Sequence, residues 1–182
     1  RKFWKDDFSV DTSSQYTGNV ADFTWDTANK KLTFTNPVTT EKYIIRDKIL
    51  KFGNKFHCVI SATGAGTKNA YVRFLHIDNS NYYEMRVGSN NYISLIKKVA
   101  GSGGNMTSLP VAYQDGELIS ITVDFDALKF TVNSTTRDIT GYVAGELPNE
   151  GLFMFVAGLG DPKTFDLYEY SYPPSISYAD DF

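Results

Sequence analysis

Apolar and polar side chains alternate with a period of two along almost the whole chain, and this feature constrains the fold more than any other. Nine short segments carry the pattern: residues 31–35, 56–61, 71–76, 82–87, 92–97, 118–125, 130–133, 152–156 and 165–170. Successive side chains of a β-strand point to opposite faces, so each segment is predicted to be a strand with one buried face. No segment keeps a helical period over three turns. Short strands separated by Gly, Asn, Asp and Ser are typical of a sandwich or barrel, and we predict an all-β domain of two antiparallel sheets.

Composition and charge exclude several classes of function. Hydrophobic residues make up 42% of the 182 residues, but no apolar run approaches the roughly 18 residues that a membrane span needs. The net charge is -3 and the 18 basic residues are scattered, whereas nucleic-acid binders usually present a basic face. The sole cysteine, Cys58, lies in an alternating run and is expected to be a small core residue. We therefore expect neither membrane insertion nor a nucleic-acid partner.

The chain is expected to divide into one module, residues 1–172, and a short tail. Residues 173–182 are predicted to be a linker and the start of a following module, since two consecutive prolines disfavour both helix and central strand. The Asp-Asp-Phe of residues 180–182 repeats that of residues 6–8, which either marks a tandem copy or arises by chance. The opening residues 1–7 lack the apolar core of a signal peptide.

Three segments between the alternating runs have their own expectations. Residues 99–112 contain a Gly-rich run and are predicted to be a long loop, functional or mobile. Residues 126–129 are predicted to form a tight hairpin turn. Residues 39–50 are ambiguous between helix and strand, and their β-branched content favours a strand.

The order of several short motifs resembles concanavalin A-like (laminin-G-like) jelly-roll domains. The opening carries Asp6-Asp7-Phe8 and then Phe23-Thr24-Trp25. In the middle, residues 71–103 place a strand ending in Arg-Phe before an Asn-Tyr-Tyr strand, a Leu-x-Lys strand and a Gly-rich loop. The final part carries similar motifs at residues 116–123, 151–153 and 165–168. The resemblance spans most of the chain and implies a two-sheet antiparallel jelly-roll sandwich.

The resemblance also implies a function and a location. Modules of this kind are appended to secreted polysaccharide hydrolases, surface adhesins and bacteriophage tail proteins, and many bind glycans. We therefore expect a polysaccharide or cell-surface glycan as partner, neighbouring modules of a larger protein, and a location outside the cell, on a cell surface or on a phage tail. The resemblance further implies a structural Ca²⁺ near the joined termini, with Asp7 and Asp166 as ligands. The alternative is that these two carboxylates pair with lysines or cap turns.

Alternation assigns the two faces of the strands in residues 71–97. Apolar side chains at Val72, Phe74, Tyr83, Met85 and Val87, followed by Ile93 and Leu95, are expected to face the core. If these strands are neighbours, the opposite face carries six candidate glycan-binding residues: Tyr71, Arg73, Tyr82, Glu84, Arg86 and Tyr92. Aromatic rings stack on the C–H faces of sugars, and Arg and Glu hydrogen-bond to hydroxyls. The alternative is a solvated sheet face whose charges pair across strands.

Sequence motifs for catalysis are absent, and we expect the chain not to be an enzyme. Glycosidases need two carboxylates about 5–10 Å apart, and the Glu-x-Asp-x-x-Glu motif of the resembled β-glucanases does not occur. Asp166 and Glu169 are three residues apart, which on a regular strand places them on opposite faces. His57 and His76 have no partner at metal-ligand spacing, so a structural or solvated role is expected. A structural or protein-interaction module and a glycosidase or lyase with unusual carboxylates remain the alternative functions.

Overall fold

Antiparallel strands account for nearly all of the regular structure of the domain. The computed structural model describes residues 4–36, 40–47, 50–51, 54–63, 70–87, 92–110, 116–148, 150–157 and 163–172. The first eight strands are β1 (Trp4–Asp6), β2 (Tyr16–Gly18), β3 (Phe23–Asp26), β4 (Lys31–Asn36), β5 (Lys42–Arg46), β6 (Leu50–Lys51), β7 (Lys55–Thr63) and β8 (Ala70–Asp78). The other eight are β9 (Asn81–Val87), β10 (Tyr92–Val99), β11 (Ser102–Pro110), β12 (Ile119–Asp124), β13 (Lys129–Val132), β14 (Thr135–Asp138), β15 (Glu150–Ala157) and β16 (Lys163–Tyr172). Two short 3₁₀ turns, Ser13–Gln15 and Val20–Asp22, complete the secondary structure of these residues.

The strands form two antiparallel sheets, as predicted. Sheet A has the order β14-β13-β12-β7-β16-β4-β3, with β1 paired to β16. Sheet B has the order β11-β10-β9-β8-β15-β5-β2, with β6 paired to β15. Most neighbours in each sheet are distant in sequence, which is the crossing connectivity of a jelly roll rather than of a simple meander. Within the described ranges, no helix has the length and apolar character that crossing a membrane requires.

A single aromatic-rich core joins the inner faces of the two sheets. Phe56 of sheet A stacks on Phe74 of sheet B with ring centroids 4.5 Å apart. Phe153 of sheet B stacks on Tyr170 of sheet A at 3.4 Å. The inward positions predicted for β8, β9 and β10 are all buried, so the assignment of the core side is confirmed. Cys58 is also buried in this core.

A bulge in β8 changes one face assignment. Strict alternation puts Leu75 on the side opposite Phe74, but the register with β9 shifts between Phe74 and Asp78. Leu75 has a φ of 49°, in the left-handed region that non-glycine residues seldom occupy. The extra residue turns Leu75 into the core. His76 is then paired with Leu152 of β15 and stacks on Tyr82.

Residues 99–110, the described part of the segment 99–112, do not form the long loop that their glycines suggested. A two-residue turn at Ala100 and Gly101, with φ of 49° and 79°, connects β10 directly to β11. Two positive φ values are those of a type I′ hairpin turn, whose twist matches the flanking strands. The β11 glycines follow this turn and pair with β10. The interpretation as a loop was wrong because glycine content alone does not separate a loop from an edge strand.

Other local predictions are confirmed where the structure describes them. The predicted hairpin turn at residues 126–129 is present, shifted by one residue: residues 125–128 connect β12 to β13, with Asp124 opposite Lys129. β5 occupies part of the ambiguous segment 39–50. The tail at residues 173–182 lies outside the described residues. The boundary between module and tail therefore stays a prediction.

A buried polar network lies between the sheets near the beginning of the chain. The Asp6 carboxylate accepts hydrogen bonds from the hydroxyls of Thr12 and Tyr16, at 3.0 and 2.7 Å, and from Nη1 of Arg46 at 3.2 Å. Burial, and next the Asp6 charge, raise the pKa of the Tyr16 hydroxyl. Tyr16 therefore stays protonated and donates to Asp6, which leaves Tyr170 to donate to Tyr16 across 2.7 Å.

We expect Gly151→Ala to lower the free energy of unfolding by about 2–3 kcal/mol. A Cβ at this position would lie 2.6 Å from the Cα and the carbonyl carbon of Leu75, and backbone atoms at a bulge cannot move aside as a side chain can. Urea unfolding measures the change. Gly104→Ala is the matched control, because a Cβ there meets nothing within 4 Å. Equal stability of the two variants would contradict the close packing of β15 on β8.

Candidate functional site

The six candidate glycan-binding residues lie on adjacent strands of sheet B, on its outer face, the side turned away from sheet A. Arg73 of β8 is opposite Glu84 of β9, and Tyr71 is opposite Arg86. On the other side of β9, Arg86 is opposite Ser94 of β10. Tyr92 lies two residues before Ser94 and so points to the same face. The strands are therefore neighbours, as the sequence analysis required.

A fully buried carboxylate organises this face. Glu84 has 0% of its surface exposed, and its two oxygens accept hydrogen bonds from two guanidinium groups. Arg73 donates through Nε at 2.8 Å, and Arg86 donates through Nη2 at 2.7 Å and Nε at 3.1 Å. Each guanidinium also lies over a phenol ring, with Arg73 4.4 Å from the Tyr82 centroid and Arg86 4.7 Å from that of Tyr71. We call these five residues the Glu84 cluster.

The exposure of two candidate residues differs from the expectation. Tyr82 is only 8% exposed, and Arg73 already covers its ring. Glu84 is not exposed at all. Sequence periodicity predicted the correct face for both, but the cross-strand neighbours close over them. Tyr82 and Glu84 therefore support the site from beneath instead of offering their own surface to a ligand.

Three other candidate side chains remain accessible. The Arg86 side chain is 43% exposed, and its Nη1 has no hydrogen-bond partner among the described residues. Tyr92 is 46% exposed. Tyr71 is half-buried, and burial raises the pKa of its hydroxyl, so the hydroxyl is a donor at neutral pH. Lys98, which the sequence analysis did not single out, brings its Nζ within 5.7 Å of the Tyr82 centroid.

The two carboxylates expected to hold calcium have different partners. Asp166 forms an ion pair with Lys31 at 2.9 Å and accepts a hydrogen bond from Thr33 at 2.6 Å. Asp7 lies 4.0 Å from the Lys5 ammonium and accepts the backbone N–H of Ser9. Ca²⁺ takes six to eight oxygen ligands, and in the part of the chain that the structure describes no three His, Cys, Asp or Glu side chains gather as a metal site. In the described structure Asp166 pairs with a lysine and Asp7 caps a turn, and calcium binding at Asp7 and Asp166 stays a prediction.

A second bulge, in β16, overturns the expectation that Asp166 and Glu169 lie on opposite faces. The register of β16 against β7 shifts between Leu167 and Glu169, so that Asp166 is opposite Ser61 and Glu169 is opposite Val59. Positions 59 and 61 of β7 share a face, and the two carboxylates therefore lie on the same outer face of sheet A. Their strand positions are roughly 7 Å apart, from a rise of about 3.3 Å per residue. Glu169 is paired with Lys5 at 2.7 Å and lies 3.3 Å from Nε2 of His57.

Comparisons with known proteins give similarity in structure but not in sequence. No protein-family profile matches the chain, and no curated protein matches its sequence. The fold is similar to a carbohydrate-binding module, CBM66, from Bacillus subtilis, with 13% identity and a TM-score of 0.57 over 85% of this chain and 94% of that chain. It is similar to a Bacillus licheniformis β-glucanase, with 9% identity and a TM-score of 0.69 over 95% and 98%. It is also similar to the Crh5 transglycosylase, with 15% identity and a TM-score of 0.66 over 96% and 85%.

The structural comparisons contradict the prediction that the chain is not an enzyme. The structural neighbours are mostly enzymes, among them the β-glucanase, the transglycosylase, a native glycosidic hydrolase and a GH43 protein. The argument from opposite faces also fails, because the bulge in β16 brings Asp166 and Glu169 to one face. Absence of a short sequence motif is therefore no ground for excluding catalysis.

Identities this low carry information about the fold alone. The likeness extends over most of this chain and most of the carbohydrate-binding module and the β-glucanase. It agrees with the two-sheet antiparallel connectivity described above. The chain has a two-sheet jelly-roll fold of the concanavalin A-like kind.

Proposed function

We propose that the outer face of sheet B binds carbohydrate through Arg86 and the aromatic side chains beside it. The observation that carries this proposal is the fully buried Glu84 carboxylate beneath an accessible guanidinium. Glu84 and the ring of Tyr71 hold Arg86 in one orientation, so little side-chain entropy is lost when a ligand binds. A charge-assisted hydrogen bond from Nη1 to a sugar hydroxyl is the contact we expect.

The surroundings of Arg86 suit a sugar ring. The half-exposed Tyr92 ring offers an apolar surface for the C–H face of a pyranose. Ser94, opposite Arg86 on β10, adds a hydroxyl that both donates and accepts hydrogen bonds. The names of the structural neighbours, a carbohydrate-binding module and a β-glucanase among them, support carbohydrate as the ligand class. A surface or phage-tail location and adjoining modules stay predictions.

A glycan array that includes bacterial cell-wall polysaccharides tests this proposal, followed by titration of the best hit. Arg86→Lys keeps a cation beside Glu84 but loses the planar donor fork, and we expect at least tenfold weaker binding. Tyr92→Ala is expected to weaken binding about five- to tenfold. Arg137→Lys, on the exposed edge strand β14, is the matched control and is expected to bind like the wild type.

Two results of this experiment would contradict the proposal. One is that a folded, multimerised domain binds no glycan on the array, which would favour a structural or protein-interaction module. The other is binding that survives both substitutions, which would place the ligand elsewhere. Thermal unfolding with Ca²⁺ and with EDTA, run beside the array, tests the calcium prediction, because loss of a structural ion would lower the melting temperature in EDTA.

Glycoside cleavage is a second candidate function, and the position of Asp166 and Glu169 favours it. The two residues share a face of sheet A, and their strand positions are roughly 7 Å apart, a separation similar to that between the carboxylates of glycosidases. The same polysaccharides are therefore incubated with the domain and analysed for new reducing ends. Turnover that disappears in Asp166→Asn or Glu169→Gln, but persists in Arg86→Lys, would place catalysis on sheet A. No turnover by the wild-type domain would remove this candidate.

A further inference from the structure

Five side chains on the outer face of sheet B form a row that crosses the strands in register. Tyr43 of β5 is opposite Val156 of β15, and Val156 is opposite Tyr71 of β8. Tyr71 is opposite Arg86 of β9, which is opposite Ser94 of β10. The row therefore runs from Tyr43 to Ser94 across five neighbouring strands, and the register shifts of β8 lie outside it.

Tyr43 is an accessible aromatic side chain at one end of this row, and the sequence analysis did not single it out. It is 37% exposed, which is similar to the exposure of Tyr92 near the other end. Val156, between Tyr43 and Tyr71, is fully buried. The tyrosines on either side of Val156 therefore supply the accessible surface in this part of the row.

The Tyr43 ring is held in place by Gly18 of β2. A Cβ at Gly18 would lie 2.9 Å from Cε2 and 3.0 Å from Cδ2 of Tyr43, so the ring packs directly against a residue that has no side chain. The backbone of Tyr43 is fixed as well, because its N–H donates to the Asn19 side chain at 3.1 Å and its carbonyl accepts the Asn19 N–H at 2.8 Å. A ring held in one position loses little entropy when a sugar stacks on it.

The row is longer than one or two sugars. Neighbouring strands lie about 4.8 Å apart, so the four spacings from β5 to β10 cover roughly 19 Å. A pyranose extends a linear polysaccharide by about the same length as one strand spacing, roughly 5 Å. A ligand that contacts both Tyr43 and the region of Arg86 and Tyr92 therefore needs about four or five sugars.

We propose that the outer face of sheet B recognises a stretch of about four or five sugars of a linear polysaccharide, which crosses the strands from Tyr92 past Arg86 to Tyr43. The Tyr43 ring stacks on the C–H face of a sugar several units away from the sugar that Arg86 holds. This inference rests on the proposed function of the same face. It adds Tyr43 as a second stacking residue and specifies the length and the course of the ligand.

Calorimetric titration with oligosaccharides of increasing length tests this course of the ligand. The probes are cello-, laminari-, xylo- and manno-oligosaccharides and a ladder cut from the best polysaccharide of the array, each from two to about six sugars long. For the series that binds, we expect the dissociation constant to fall with each added sugar up to about four or five sugars and then to level off.

Three variants locate the contact at β5. Tyr43→Ala is expected to weaken binding of the longest oligosaccharides about five- to tenfold and to leave disaccharide binding unchanged, because a disaccharide held at Arg86 does not reach β5. Tyr43→Phe keeps the ring on Gly18 and is expected to bind like the wild type at every length. Leu118→Ala removes an exposed apolar side chain just before β12 of sheet A, and it is the control that is expected to change nothing.

The possible failures of this inference and of the proposed function are distinguishable. Affinity that is already maximal for a disaccharide, or that Tyr43→Ala leaves unchanged at every length, would overturn the inference, and the proposed function would stand if Arg86→Lys still weakens binding. A Tyr43→Ala domain that loses disaccharide and long-chain binding equally would also contradict the proposed course. Binding that neither Arg86→Lys nor Tyr43→Ala weakens, or no binding of any series, would overturn both.

Discussion

Replacing Asp6 with alanine is expected to lower the free energy of unfolding by about 4 kcal/mol. The carboxylate is buried between the sheets and accepts hydrogen bonds from Thr12, Tyr16 and Arg46, and from the backbone N–H of Phe8. Without it, the Arg46 guanidinium stays in the interior and loses the buried carboxylate that lies 3.2 Å from its Nη1. Removing one partner of a buried ion pair costs more than the pair contributes, because the other charge is left desolvated. Urea unfolding followed by tryptophan fluorescence measures the change.

A double-mutant cycle separates the charge from the lost packing. Arg46→Met in the Asp6→Ala background removes the buried cation, and we expect it to recover most of the stability lost by the single variant. Asp7→Ala, one residue along and exposed, is the control and is expected to change stability by less than about 1 kcal/mol. If Asp6→Ala behaves like Asp7→Ala, the buried network does not hold the sheets together.

Replacing Glu84 with alanine is expected to cost about 3 kcal/mol of stability. The loss is smaller than for Asp6 because Arg86 is partly exposed and can turn to solvent, whereas Arg73 is mostly buried and cannot. Carbohydrate binding is expected to fall together with stability, since Arg86 loses the group that orients it. Thermal unfolding and titration with the array hit measure the two effects on one sample.

The control for this prediction is Glu146→Ala. Glu146 pairs with Lys97 at 2.6 Å in a more accessible position, and its loss is expected to cost less than about 1 kcal/mol. A Glu84→Ala domain with the stability and the binding of the wild type would show that neither the fold nor the proposed site depends on the buried carboxylate.

The sequence predicted which candidate residues share one face of sheet B, but it did not predict which of them are exposed. Alternation in β8, β9 and β10 was enough to separate Tyr82, Glu84 and Arg86 from Tyr83, Met85 and Val87. Exposure could not be read in the same way, because it depends on which side chains close over a position from the neighbouring strands. Arg73 is 11 residues from Glu84 in sequence, yet it is the group that covers the carboxylate.

The bulges in β8 and β16 could not be predicted from the sequence either. A period of two describes a regular strand, and one inserted residue exchanges the faces of everything beyond it. In β8 this moved Leu75 into the core and His76 to the outer face. In β16 it brought Asp166 and Glu169 to the same side. No residue type in these segments indicates the extra residue of the bulge, because Leu75 adopts a positive φ although it is not glycine, asparagine or aspartate.

The sequence by itself determined the all-β class, the inward positions of most strands and the resemblance to concanavalin A-like jelly rolls, because burial of alternate side chains is a local property of the chain. Only the tertiary structure decided which strands are neighbours, where the register shifts, and which polar groups are buried. Those outcomes depend on contacts between residues far apart in sequence, such as Tyr16 with Tyr170 and Leu75 with Gly151. Local alternation determines the face of the strand on which a side chain lies, and the packing of distant strands determines whether that side chain is buried or exposed.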